Sequence, residues 1–220
     1  RDRATTTWIN VIGVHDIDII ERIGAHFGIH PLVQEDIANT SQRPKFEDYD
    51  AAIYLVVHMV QNGPGTGDIT REQVSLILVG NCVISFQERA GDVFDPIRNR
   101  IRLAKGRIRK LGADYLFYSL LDAVVDHYFT VLDTLAEQLG AIETEVMETP
   151  TPATLRQIHH LKTELISLHR SIWPLREAIG SLERVESPLI QRATRVFLRD
   201  VYDHAFQVID TVETFRDLAS

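Results

Sequence analysis

A chain of 220 residues, 45% apolar and 25% charged, is long enough for a sizeable core and has the balance of an ordinary globular protein, so it needs no disulfide scaffold. Its formal net charge of −8 argues against nucleic acid or anionic lipid as a general partner. No stretch approaches the ~20 apolar residues of a membrane helix, and the longest run, AAIYLVVHMV, is strand-length.

Residues 5 to 14, TTTWINVIGV, are β-branched and aromatic and predict a first strand. Asp16 then caps a helix whose buried face is Ile17, Ile20, Ile23 and Phe27 and which Gly28 ends. A second short helix opens on Pro31 and carries LVQEDIAN, with Leu32, Val33 and Ile37 facing inward. Glu35 and Asp36 are adjacent on it and therefore diverge by roughly 100° around its axis. EDYDAAIYLVVHMVQ reads as one strand covered on both faces, and NGPGTGD as a hairpin loop. ITREQVSLILVG and NCVISFQE are two further strands around a tight Gly80-Asn81 turn. The single cysteine, Cys82, sits in the last of these, which predicts a buried, unpaired thiol in a reducing compartment.

From Asp92 onward the pattern is helical. DVFDPIRNRIRLAKG makes one helix, and the basic run from 98 to 110 is read as a solvated face because no aromatic platform accompanies it. A long helix follows from Ala113, with Leu121, Val124, Val125, Tyr128, Leu132, Leu135, Leu139 and Ile142 on its apolar side, until Thr149-Pro150-Thr151-Pro152 breaks it. The next helix is expected to fold back antiparallel across that short break, with a kink at Pro174. After Ser187-Pro188 a final helix begins near Leu189 with the seam Leu198, Val201, Ala205, Val208, Val212, Phe215 and Ala219, spaced 3, 4, 3, 4, 3, 4. It runs to Ser220 with no stop signal, and the chain opens on Arg1, so a piece cut from a longer protein is expected. The chain divides into an α/β domain over 1–110, a helical hairpin over 111–187 and a stalk helix over 188–220.

Enzymatic motifs are missing: there is no glycine-rich phosphate loop, nucleophile elbow, CxxC or HExxH. His159-His160 are adjacent and diverge too far to chelate one ion. Aspartates stud two helices instead, Asp114, Asp122, Asp126 and Asp133 on one and Asp200, Asp203, Asp210 and Asp217 on the other. The plain reading is that they solvate outer faces. Asp122 and Asp200, however, neighbour core residues, where a carboxylate is costly without a cation, and oxygen-only ligands suit Mg²⁺ or Ca²⁺ more than zinc.

The blocks HPLVQEDIANTSQRPKFEDYD, VFDPIRNRIR, ADYLFYSLLDAVVDHYF, IWPLREAI and FLRDVYDHAFQVIDTVETFRDLAS, in that order, closely resemble the cytosolic part of the CorA magnesium and cobalt transporters. The resemblance implies an α/β fold, an α/β/α sandwich with a mixed sheet followed by a long helical hairpin and a stalk helix leading toward a membrane segment beyond Ser220. It further implies a homopentamer and no enzymatic activity. The full protein would lie in the cell membrane, with this part cytoplasmic and binding divalent cations but not nucleic acid. It carries regulatory metal ligands onto Asp36 and, from the adjacent subunit, Asp200, with Glu35 and Asp122 in a second, weaker site. That second site also takes a backbone carbonyl near the family's N-terminus, for which a counterpart is not expected here. The ion is Mg²⁺, with Co²⁺ or Ca²⁺ as substitutes, and it holds a closed state. Without it, two bare carboxylates ~4 Å apart repel by about 4 kcal/mol at an effective dielectric of ~20. The alternatives are a zinc-transporting homologue and a helical scaffold without transport.

Overall fold

The structure, a computed structural model, describes residues 5–65 and 68–220. Thr66 and Gly67, in the expected hairpin loop, lie outside the described residues. A five-stranded mixed sheet stands in the order β1-β5-β4-β3-β2, formed by β1 (Thr7–Ile12), β2 (Lys45–Asp48), β3 (Ala52–Asn62), β4 (Ile69–Val79) and β5 (Cys82–Gln87). β1 pairs parallel with β5 and every other pair is antiparallel. The residue period of two sorts the side chains to opposite faces. Ile53, Leu55, Val57, Val74, Leu76, Leu78 and Val83 meet one apolar layer. Tyr54, Val56, Ile77, Ile84 and Phe86 meet the other. That double burial explains why β3 and β5 read as largely apolar rather than alternating.

Helices α1 (Ile17–Phe27) and α2 (Pro31–Ala38) cover the second face through Ile20, Val33 and Ile37. The first face carries α4 (Ala113–Glu148), α5 (Pro152–Arg184) and α6 (Arg192–Leu218), with α3 (Asp95–Arg102) beside them. The architecture is an α/β/α sandwich. All the predicted core residues of α4 are buried, and so are Leu198, Val201, Ala205, Val208 and Val212 of α6. α6 packs along both α4 and α5. Gly80, at φ +53°, makes the β4–β5 turn in a conformation that costs glycine little. Cys82 is buried at the start of β5, and burial pushes its thiol pKa up.

Several boundaries differ from expectation for identifiable reasons. The strand predicted from Glu47 onward is two, because Asp50 adopts φ +58° and Tyr49 N–H donates to the Ala52 carbonyl at 2.9 Å, closing a turn between β2 and β3. α3 stops at Arg102 because Ala104 and Gly106 both turn to positive φ. Within its basic run Arg98 is engaged by Asp92 and Asp95, and Ile108 is buried, so the segment is not a uniformly solvated face. Leu32 and Ile17 are more than half exposed rather than inward-facing. α6 begins at Arg192, not near Leu189, because Asp114 fixes its entry. One oxygen of that carboxylate accepts from Gln191 N–H at 3.0 Å and from the Thr194 hydroxyl at 2.5 Å. Asp114 is therefore buried as a helix staple and does not solvate an outer face. Pro174 lies inside α5, which does not end there.

Candidate metal centre

Asp36 is placed by its helix and by the sheet beneath it. The His30 Nδ1 accepts from Leu32 N–H at 3.2 Å and caps α2. Gly24 lets α1 approach so closely that a Cβ there would meet the Gln34 side chain at 2.4 Å. The buried Gln73 of β4 then clamps the helix end, donating to the Asp36 carbonyl at 2.9 Å and accepting from Gln42 N–H at 3.1 Å. The Asp36 carboxylate is partly covered and the neighbouring Glu35 is exposed.

A resident cation already faces Asp36. Lys45 of β2 puts its ammonium 2.5 Å from Asp36 Oδ2 and 2.8 Å from Glu47 Oε1. The Tyr49 hydroxyl donates to Glu47 at 2.8 Å, and the His30 ring stacks on Tyr49 at 5.2 Å. Partial burial would lower the lysine pKa, but its bonds to the two carboxylates outweigh that and raise it. Burial opposes the ionised Glu47, yet the hydrogen bonds from Lys45 and Tyr49 leave its pKa lowered. Burial together with the Glu47 bond pushes Tyr49 up to about 12. The carboxylate taken as bare from the sequence is thus an ion-paired one, sharing a single ammonium with Glu47.

On the other side of the sheet, Asp122 of α4 has no such partner. Tyr118 donates its hydroxyl to Asp122 Oδ2 at 3.2 Å. Burial, reinforced by the charge of Asp126 one turn on, pushes the Asp122 pKa up to about 6. Asp126 Oδ1 lies 3.7 Å from Nδ1 of His204 on α6. Ligand atoms of Asp122, Asp126 and His204 all lie within 4.8 Å of one another, the one such group of three among the described residues. Asp200 is exposed one turn before His204 on α6, and its charge reaches Tyr118.

The four expected ligands therefore fall into two pairs. Glu35 and Asp36 ride α2 on one face of the sheet, while Asp122 and Asp200 ride α4 and α6 on the other. No intrachain cluster among the described residues joins the pairs. The sequence reading missed Lys45, Asp126 and His204 as participants. Their signal was available: Asp122–Asp126 and Asp200–His204 are each four apart, on one helix face, and the two helices pack together.

The sequence matches the family described as CorA-like Mg²⁺ transporter protein over residues 3–220. It is 50% identical over 220 residues to the cobalt/magnesium transport protein CorA of Thermotoga maritima, a match that takes in 100% of this chain and 63% of that protein's length. The fold is similar to the soluble domain of CorA from Methanocaldococcus jannaschii, with a TM-score of 0.81 at 19% identity over 96% of this chain and 84% of that one. It is also similar to the ZntB cytoplasmic domain from Vibrio parahaemolyticus, with a TM-score of 0.79 at 18% identity, covering 96% and 82% of the two chains. At such identities these two structures speak for the fold alone.

Proposed function

This chain belongs to the CorA-like Mg²⁺ transporter family, and from that premise we propose that it is the cytoplasmic, Mg²⁺-sensing and gating part of a homopentameric Mg²⁺ and Co²⁺ transporter. The observation that carries the reading is the separation of the ligands. Asp36 and Asp200 lie in layers on opposite sides of the sheet, so one ion can engage both only by joining two copies of the chain. The donors fit Mg²⁺, being carboxylate oxygens that are exposed or only partly covered, which leaves room for the waters this ion retains. A zinc-transporting relative would favour imidazole or thiolate donors, and neither Asp36 nor Asp200 has one as a hydrogen-bonded or ion-paired neighbour.

Lys45 changes how such a sensor works. In the ion-free chain its ammonium offsets the charge of Asp36, so the subunits are not driven apart by the full repulsion of two bare carboxylates. Lys45 holds Asp36 through Oδ2, so a divalent ion either takes Oδ1 beside the ammonium or displaces Lys45, which retains Glu47 as a second partner. A bound Mg²⁺ supplies two positive charges between the carboxylates of neighbouring copies. Asp36 and Asp200 then hold the copies together, and their release shifts the population toward conformations in which subunits move apart.

Protease protection across a Mg²⁺ titration tests this in the full-length transporter, with wild type, Asp36→Asn, Asp200→Asn and the double variant compared. Both single variants lose Mg²⁺-dependent protection, and the double variant is little worse than either because ligands of one ion act non-additively. Wild-type protection in both single variants would eliminate this site as the sensor.

A further inference from the structure

We propose that the cavity between the α2–β2 loop, β4 and α5 binds a nucleoside polyphosphate, with its phosphates on Arg43, Arg71 and Arg170 and its base on Trp173. The site shares no ligand with the proposed Mg²⁺ sensor and stands without it. All four residues line a cavity of 790 Å³, within the ~300–1,000 Å³ of small-ligand clefts. The chain carries a net charge of −8, yet none of these three arginines makes an ion pair among the described residues. The two acids on the same walls are engaged by main-chain donors instead. Glu72 Oε2 accepts from Arg89 N–H at 3.0 Å, and Glu88 Oε1 accepts from Gln73 N–H at 2.7 Å. Arg71 is held by α5, its Nη1 donating to the Ser171 hydroxyl at 2.9 Å and to the Ser167 carbonyl at 3.2 Å, which leaves the other N–H groups of its guanidinium for a ligand.

The aromatic part of the site is built into α5. Trp173 is 51% exposed, and the ring of His169, one turn earlier, stacks on it with centroids 5.2 Å apart and planes 29° apart. His169 is tied in turn to α6, its Nε2 lying 3.5 Å from Glu213 Oε1. Pro174 has no N–H, so the Arg170 carbonyl loses its helical partner and adds an acceptor on the same turn for a sugar hydroxyl or a base amino group. Guanidinium groups take phosphate oxygens in pairs, and an indole stacks a base of any identity. An inorganic anion or an uncharged aromatic would each use only part of this set. Another wall of the cavity leads to α2. His58 Nε2 carries the proton, since it faces the Gln42 carbonyl at 2.9 Å; Gln42 N–H donates to Gln73 Oε1, and Gln73 Nε2 donates to the Asp36 carbonyl at 2.9 Å. A nucleotide seated there would steady the end of α2 that carries Asp36. Coupling between nucleotide and ion, unlike the binding itself, rests on the sensor reading.

The test titrates this 220-residue chain with ATP in buffer stripped of divalent ions, following indole fluorescence and heat. One ATP binds per chain and quenches Trp173, and both adenosine and inorganic tripolyphosphate bind at least ~10-fold more weakly, because each lacks one half of the recognition. Trp173→Ala abolishes the quenching, leaving Trp8 as the one indole, and weakens ATP by at least ~5-fold in the heat signal. Arg43→Ala combined with Arg170→Ala weakens it by at least ~10-fold. Both arginines are exposed and neither side chain bonds another residue, so the fold does not depend on them. No saturable binding at millimolar ATP, tripolyphosphate binding as tightly as ATP, or arginine variants that alter self-association while leaving ATP binding unchanged would each overturn the proposal. Asp36→Asn leaves ATP binding intact, so failure of the sensor and failure of this site are read separately.

Discussion

The two faces of the sheet are covered to different depths, and their carboxylates are treated differently. α1 and α2, 11 and 8 residues long, form a thin layer in which Asp36 meets Lys45 at 2.5 Å. α4, α5 and α6, 36, 33 and 27 residues long, form a thick layer in which Asp122 is half-buried with only a phenol donating to it. In the thin layer an edge strand, β2, is near enough to bring an ammonium to the site. At Asp122 in the thick layer the neighbouring residues on α4 and α6 are Asp126 and His204 instead, so no lysine or arginine is bonded to it. Difference in depth therefore sets where stability resides and where an ion would relieve a cost.

The largest effects should come from cutting into each layer. Phe117→Ala, at a fully buried position of α4, is expected to lose ~3–5 kcal/mol by lost transfer energy and cavity formation. Ile37→Ala, equally buried under α2, is expected to lose ~2–4 kcal/mol. Both should shift one cooperative denaturant transition, because both layers rest on the same strands. If Ile37→Ala left the global midpoint in place and only sped amide exchange in α1 and α2, the thin layer would be an independently opening unit.

A smaller loss is expected from the staple between α4 and α6. Asp114→Ala removes the acceptor of one buried and one part-buried hydrogen bond, leaving the buried Thr194 hydroxyl and the partly covered Gln191 N–H without it, at ~1–3 kcal/mol. Thermal unfolding measures it. Asp114→Asn should recover part of the loss, since an amide oxygen still accepts; equal losses in the two variants would show that geometry, not acceptance, is what the site needs.

Legibility followed periodicity. The α6 seam and the apolar side of α4 were readable because a single repeat specifies both the helix and its buried face. The β2–β3 turn was not, since the acidic run Glu47-Asp48-Tyr49-Asp50 was joined to the apolar stretch that follows, and the left-handed conformation of Asp50 is set by tertiary structure. Asp114 looked like its neighbours on α4, and what distinguishes it is a partner 77 residues away. Lys45 likewise gains its role only when β2 is laid beside α2. Asp36 and Asp122 were visible as acids, while the difference between a paired and an unpaired acid is tertiary.

That difference predicts a pH signature. Asp122 has its folded pKa raised to about 6 from an ordinary 3.8, so the folded state binds its proton more tightly than the unfolded state does. Stability should therefore fall as pH rises from about 4 through about 6 and level off above, where the carboxyl is ionised in both states. With chelator present, Asp122→Asn should flatten this segment of the stability profile and be the more stable protein at pH 7. An unchanged profile would mean that solvent relaxes around the ionised group and the burial cost is not expressed.

The smallest effects are expected where the two faces offer their ligands. Asp200 is exposed and makes no ion pair or hydrogen bond of its own side chain, so Asp200→Asn in the absence of divalent ions should change stability by no more than ~0.5 kcal/mol. Asp36→Asn removes one of the two carboxylates that Lys45 bridges, a partly covered pair, and should cost ~0.5–1 kcal/mol, with a weaker dependence on salt than a fully exposed pair because part of its surface is shielded from screening. Urea unfolding at two ionic strengths separates the two variants. Equal, negligible losses would mean that Glu47 alone holds Lys45 and that Asp36 is already free to take an ion. A clear loss in Asp36→Asn alone would instead identify the lysine as the competitor that a divalent ion has to displace.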